Sequence, residues 1–491
     1  MIVKYLLEGL RAIVRLLIPK GVRRDILPRL LQNPIGNYLL SRLNLFDLEK
    51  LWSSLTRTRD IDIHKYLDVS FKPSFNVIII VVDALRNSQL SCEGYFRETT
   101  PTLDKIGLKF TAVSASSWTY PSVASILTGL YPHNHGAQLH GKTKSVFAFK
   151  TLRLIRDDVL TLPEILSFLE YDVYFATAIP HAYWPLRGRV SPRLYSLHTR
   201  AGEMLSDLVS WIRNRRKGKF FAYVQLGDVH EPLNPPKEFR NFFGRVENLP
   251  NIATFDFDTS QQRKSNARKF QNYRKNRELL YDNTLRYVDS TIGQFYQTIK
   301  DQGLRESTII VVTSDHGEEF WEHADLEEEF FFRQRKSFGT GHGHNVFNEL
   351  IRVPLIFVGP IPGKQTTDLV STVDIVPTIT NLVGIRHYMA FDGENIFSVE
   401  GARTLLTEAS GMGYEKKALT TGRFKFVSSP HDGINWLFDL EKDPQEQHPI
   451  VQHELIPLFN EMLNQINRLQ ERRTISSIAR RLSNKVDNDL K

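Results

Sequence analysis

The chain has 491 residues, 41% of them hydrophobic and 24% charged, with a formal net charge of +8. That balance excludes a disordered or low-complexity protein and allows more than one structural unit around a full core. A single cysteine, Cys92, excludes an internal disulfide framework and a multi-cysteine zinc site and is read as a packed thiol, while the positive charge favours anionic partners without choosing among them.

The first segment, residues 1–73, is helical in pattern. Val3, Leu6, Leu7, Leu10, Ile13, Val14, Leu17 and Ile18 recur at helical spacing, and Lys4, Glu8, Arg11 and Arg15 occupy the opposite face. Charges interrupt every apolar stretch, which argues against a membrane span or a signal peptide. With Lys20, Arg23, Arg24 and Arg29 the segment forms a basic amphipathic helix, either docked on its own domain or lying in an anionic membrane interface. The expected location is cytoplasmic, peripheral at the inner membrane face in the second case.

From Lys72-Pro73-Ser74 to about residue 385, strand-like runs alternate with helical ones, the pattern of a doubly wound α/β domain over 74–385. Asn76 to Val82 is an unbroken apolar run that closes on Asp83, with Arg86 three residues on as a substrate-contact candidate. Asp172 to Ala176 and Phe220 to Leu226 are further strands. Thr308 to Val312 is a second β-branched run, closing on Asp315-His316-Gly317, and Leu355 to Val358 follows. Beyond Gly384, shorter segments at Phe424 to Val427 and Trp436 to Leu440, then a helix at about 452–470, form a small C-terminal α+β subdomain, 386–491, with a basic tail.

Unbroken β-branched runs suit strands covered on both faces. Such a sheet presents its ligands at the carboxyl ends of its strands. Carboxylate and imidazole groups delivered there, with a hydroxyl from a nearby loop, make a site for one divalent cation, with Ca, Mg, Mn and Zn not distinguished.

The hydroxyl comes from Ser117-Trp118-Thr119-Tyr120-Pro121-Ser122-Val123, which runs on to Thr128-Gly129. This loop resembles the nucleophile segment of the sulfatases, within the alkaline phosphatase superfamily. There the nucleophile stands two residues before a proline and opens a helix that reaches a Thr-Gly pair; Thr119 takes that place. Asp83, Asp315-His316-Gly317, Asp374-Ile375-Val376-Pro377-Thr378, Arg423-Phe424-Lys425-Phe426 and Leu437 to Pro444 match further family motifs in order, over roughly 74–465. The resemblance implies an alkaline-phosphatase-like fold and Asp83, Thr119, Asp315 and His316 around the metal.

Two departures bear on chemistry. Sulfatases carry a cysteine or serine that becomes formylglycine, with an arginine four residues on; this chain has Thr119 and Val123, which closes the formylglycine route. The first strand also offers one carboxylate, Asp83, where many sulfatases have an adjacent pair. A threonine alkoxide resembles the superfamily's phosphodiesterases, phosphonate hydrolases and headgroup transferases instead.

A free threonine hydroxyl is a poor nucleophile at neutral pH, and coordination to a divalent cation stabilises its alkoxide. A helix N-terminus adds N–H donors for the anion. The structural alternative is an N-cap threonine ahead of Pro121. Among the histidines, His230 resembles the family's substrate-contacting residue, and His342 and His344 lie where sulfatases place the group that protonates the leaving oxygen. His181 is a weaker substrate candidate. His323 reads as structural, and His133 and His135 as shaping the loop after the nucleophile helix.

Arg263, Lys264, Arg268, Lys269, Arg274, Lys275 and Arg277 form a basic run, either a surface for anionic polymer or headgroups or a solvated helix face. Arg472, Arg473, Arg480 and Arg481 read the same way. No nucleic-acid fold signature accompanies them, which argues against nucleic acid as a partner. The sequence therefore points to a metal-dependent hydrolase or transferase acting through Thr119 on a phosphate or sulfate ester of a glycan, a lipid headgroup or a small molecule. The alternatives are a headgroup phosphotransferase at a membrane surface and a non-catalytic module that binds anionic glycans or lipids.

Overall fold

The computed structural model describes residues 62–68 and 73–450, except 146–150, 216–217, 248–262, 264–266, 333–337, 364–368, 388 and 402, together with the single positions 457, 461 and 464. The amphipathic N-terminal helix, the C-terminal arginines and nearly all of the helix expected at about 452–470 lie outside the described residues.

Fourteen strands are described: β1 (Asn76–Val82), β2 (Leu108–Val113), β3 (Asp172–Thr177), β4 (Pro192–Leu194), β5 (Phe220–Leu226), β6 (Thr308–Thr313), β7 (Glu319–Phe320), β8 (Thr340–Gly341), β9 (Arg352–Val358), β10 (Val370–Ser371), β11 (Leu405–Thr407), β12 (Lys417–Thr420), β13 (Phe424–Ser429) and β14 (Ile434–Asp439). Eight of them build one sheet in the order β10-β2-β9-β6-β1-β5-β3-β4. All run parallel except β9, which pairs antiparallel with both β2 and β6. The two aspartate-bearing runs, β1 and β6, are neighbours near the middle, with Val81 opposite Thr313.

Both faces of this sheet are covered, which is why its central strands carry apolar residues without alternation. Val77, Ile79 and Val81 face the helices Thr119–Thr128, Leu162–Phe168 and Ile375–Leu382. Ile78, Ile80 and Val82 face Ala201–Asn214 and the long helix Ala267–Asp301. Each such side chain removed from water contributes about 1.5–3 kcal/mol. A second sheet, β11-β12-β13-β14, is wholly antiparallel. It packs Trp436 and Phe438 against Phe347, Leu350 and Ile351, and Leu406 and Phe426 against Tyr131 and Val373.

Two expectations are revised. Cys92 is exposed rather than packed; it lies in a short turn, Ser91–Glu93, that buries no residue. Three of the seven cations of the basic run pair with described carboxylates: Arg263 with Asp325 and Glu328, Arg274 with Glu278, and Arg277 with Glu231. Arg277 is spent next to the site described below and not on a solvated face.

Candidate active site

Asp83 follows β1 directly, and its backbone N–H donates to Leu226 O across the sheet at 3.0 Å. The next residue, Ala84, turns into the left-handed region at φ 61°. A side chain there costs about 1–2 kcal/mol, and Tyr281 donates its hydroxyl to the Ala84 carbonyl at 2.7 Å to hold the turn. This sharp exit leaves the Asp83 carboxylate at the strand end beside Asp315, as the β1–β6 register requires. Asp315 and His316 are fixed by a tight loop: Ser314 Oγ donates to His316 O at 2.6 Å and accepts from Leu85 N at 3.0 Å. Gly317 has no alternative, since a Cβ there would stand 1.9 Å from Glu349 O.

Thr119 is the first residue of its helix, and Trp118 is the N-cap, with no side-chain cap hydrogen bond. The capping alternative is therefore not what the hydroxyl does. Thr119 Oγ1 lies 3.4 Å from Asp83 Oδ2 and 3.1 Å from His316 Nε2. Pro121 is the third residue of the helix, where a missing N–H costs nothing because the first four are unpaired within a helix anyway. All ten residues of this helix are buried.

His316 Nδ1 donates to Gly317 O at 2.8 Å, which fixes the tautomer and leaves Nε2 as a bare lone pair. That lone pair faces Thr119 Oγ1, Asp83 Oδ1 at 3.7 Å and Asp315 Oδ2 at 3.5 Å. Asp83 Oδ1 has no hydrogen-bond partner although its residue is fully buried. Burial and the neighbouring Asp315 carboxylate push Asp83 well above the usual carboxylate range. Two carboxylates, one imidazole and a hydroxyl, with the three charged-group ligand atoms within 4.8 Å of one another, form a donor set that fits a divalent cation and suits nothing apolar.

Above this cluster stand three imidazoles. The His342 ring lies 4.2 Å from that of His316 and 5.1 Å from that of His230. His342 Nδ1 is 3.0 Å from Glu318 Oε2. Burial, then His316 and His230, push His342 well below its ordinary value, while burial pushes Glu318 up. His230 Nδ1 donates to Glu231 O at 2.6 Å, and burial lowers its pKa. His181 is wedged between Trp118 and Trp184, with Nε2 buried and without a hydrogen-bond partner; burial, then His230, lowers it to about 4.

Two candidates are not brought into the cluster. His344 Nε2 contacts Glu319 Oε2 at 2.7 Å and Glu327 Oε1 at 3.0 Å, a separate buried network that Asn345 completes. The φ of 79° at Gly343, where an added Cβ would stand 3.1 Å from Trp118 Cβ, turns the chain so that His342 and His344 diverge. Arg86 is held by Glu322 at 2.7 Å and lies over the Phe320 ring, its guanidinium neutralised rather than presented to an anion. His323 is structural: it bonds Glu349 at 2.6 Å and stacks on Phe347.

Two residues of the site were not singled out from sequence. Gln225, the one amide side chain in β5, donates to Asp83 Oδ2 at 2.6 Å and Asp315 Oδ2 at 3.1 Å. Glu318, immediately after Gly317, is the partner of His342.

The Sulfatase family model matches residues 75–385. The chain belongs to the sulfatase family of the alkaline phosphatase superfamily. Curated relatives include the low-salt glycan biosynthesis sulfotransferase of Haloferax volcanii, 24% identical over 66% of this chain and 64% of that protein, and the choline-sulfatase of Rhizobium meliloti, 27% identical over 45% and 44%. The uncharacterized sulfatase YidJ of Escherichia coli is 26% identical over 34% of this chain and 32% of its own length. The chain thus aligns with about a third to two thirds of these relatives. The phosphonate monoester hydrolase of Agrobacterium radiobacter superposes with a TM-score of 0.59 at 17% identity, covering 81% of this chain and 96% of that one. A protein solved with its substrate D-glucosamine-2-N,6-O-disulfate gives the same score and identity over 82% and 98%. These structural likenesses establish the fold. Among the described residues, no helix is long and apolar enough to cross a membrane.

Proposed function

We propose that this sulfatase-family chain is a metal-dependent enzyme that cleaves a phosphate or sulfate ester through a covalent intermediate on Thr119. The observation that carries the reading is the position of Thr119 Oγ1, at a helix start and within 3.4 Å of Asp83 and His316. A divalent cation held by Asp83, Asp315, His316 and the Thr119 oxygen would stabilise the alkoxide and offset the charge of the bound ester. Thr119 Oγ1 then forms a bond to phosphorus or sulfur as the bond to the leaving alcohol breaks. The N–H groups of the first helical turn face the anion as donors.

His342 is the group assigned to pass a proton to the leaving oxygen: its ring lies against that of His316, and the Glu318 carboxyl, pushed up by burial, supplies through Oε2 and Nδ1 the proton that the lowered imidazole does not hold. His230 and His181 line the same space and are assigned to the ester's remaining oxygens. His344 and Arg86 receive no part in the chemistry, because both are engaged elsewhere. Release of the group from Thr119 takes either water or an acceptor alcohol. The relative named a glycan biosynthesis sulfotransferase supports the second route with a glycan acceptor, and the +8 net charge suits a polyanionic substrate.

The test is turnover of chromogenic phosphate monoesters, phosphodiesters and sulfate esters with added Mn²⁺, by wild type and Thr119→Ala. The reading requires the variant to lose turnover of whichever ester the wild type accepts. Equal rates in both proteins overturn it.

A further inference from the structure

The two carboxylates at the strand ends are not left to arrange themselves. Gln225 is buried in β5, opposite Val81 of β1 and two residues short of the level of Asp83. Side chains two apart on adjacent strands share a face, so its amide reaches both aspartates. Nε2 donates to Oδ2 of each, at 2.6 and 3.1 Å. The amide has two faces, and which one meets the carboxylates is decided one step further back. Tyr223, on the same face of the same strand, donates its hydroxyl to Gln225 Oε1 at 2.5 Å. Tyr223 is itself fixed by stacking on Phe175, 4.6 Å between centroids and 8° between planes. Burial, then Asp315 and Asp83, keep its phenol protonated and therefore a donor.

We propose that Tyr223 and Gln225 form a positioning relay that aims the two carboxylates: the amide holds Oδ2 of each aspartate, which pins Asp315 Oδ2 where it faces His316 Nε2 and leaves Asp83 Oδ1 free for a divalent cation, while Asp315 Oδ1 accepts from His316 N at 3.1 Å. The unpartnered Asp83 Oδ1 is the oxygen so released. A neutral amide suits this task. A lysine or arginine at 225 would neutralise the pair and compete with a cation, a glutamate would add repulsion, and an apolar side chain would let the carboxylates rotate toward Thr119 and His316. The relay rests on the metal-site reading given above, and it adds residues from a third strand to a site whose ligands come from β1, β6 and the nucleophile helix.

The test is isothermal titration of Mn²⁺ into chelator-stripped protein, with thermal unfolding of the same metal-free samples. Gln225→Met keeps the volume and removes the donor, and should weaken Mn²⁺ binding about 10–100-fold, the usual effect of losing an outer partner of a ligand. Tyr223→Phe removes only the hydroxyl and should weaken it less. Combined with Gln225→Met it should weaken binding no further, because the relay has one output. A merely space-filling pair predicts the reverse: lower metal-free stability with wild-type Mn²⁺ affinity, or fully additive losses. Either result overturns the relay while leaving tight wild-type binding intact. A wild type that binds no Mn²⁺ overturns the relay and the metal-site reading together.

Discussion

Asp83→Asn should make the metal-free protein more stable and the metal-loaded protein less so. Asp83 and Asp315 are both fully buried, with ligand oxygens no more than 4.8 Å apart. Two unit charges at that distance repel by about 3.5 kcal/mol at an effective dielectric of about 20. Proton uptake by Asp83, whose pKa is raised by burial and then by Asp315, relieves part of that, so a net gain of about 1–3 kcal/mol is expected for the neutral amide. At roughly 2 °C per kcal/mol for a large domain, the unfolding midpoint in chelator should rise by about 2–6 °C. The sign with pH follows from the raised folded value. The carboxylate's penalty is absent below its unfolded pKa, near 3.8, and grows as pH rises through the folded one, so the advantage of Asn should be larger at pH 8 than at pH 4.5. With Mn²⁺ at a hundred times its dissociation constant, wild type gains about 2.7 kcal/mol, and a variant lacking one anionic ligand gains far less. Thermal unfolding of both proteins, with chelator and with Mn²⁺, checks this. An Asn variant that is less stable in chelator, or that Mn²⁺ stabilises as much as wild type, would refute the reasoning.

Other consequences are more local. His342→Gln should lower kcat by about 10²–10⁴-fold while leaving Mn²⁺ affinity near wild type; steady-state kinetics beside titration separates the two. His344→Gln should instead leave kcat within about threefold of any change in folded fraction, since that ring bonds Glu319 and Glu327. Arg403 forms a two-pronged pair with buried Asp374, both bonds at 2.8 Å, so Arg403→Ala should cost about 3–5 kcal/mol in urea unfolding. For His323, burial alone would lower the pKa, but Glu349 carries it up to about 10. Its contribution is present below about 6.5 and is lost as pH rises through about 10, so wild type should lose stability over that window and His323→Gln should lose less.

The legible part of the fold lay where one physical cause acted alone. Asn76 to Val82 and Thr308 to Thr313 are apolar because both faces of their strands are covered, so the runs and their closing aspartates could be read directly, and the register then made them neighbours. Phe220 to Leu226 was bounded correctly for the same reason. Leu108–Val113 was passed over, since its partly exposed first half breaks the pattern. The antiparallel direction of β9 leaves no mark in composition. Gln225 was not singled out: an amide in an otherwise apolar strand was the one signal it gave, and its two partners lie 142 and 90 residues away. The choice between His342 and His344 turned on the left-handed Gly343, which spacing cannot supply. Cys92 was assigned from the general habit of cysteines to be buried, and its turn exposes it.

The most direct measurement is peptide mass mapping of protein quenched during turnover with Mn²⁺ and an accepted ester. The account predicts a phosphoryl or sulfuryl group on the peptide bearing Thr119, absent in Thr119→Ala and without metal. An active wild type whose Thr119 stays unmodified under every quench, or a group carried on another residue, would contradict it.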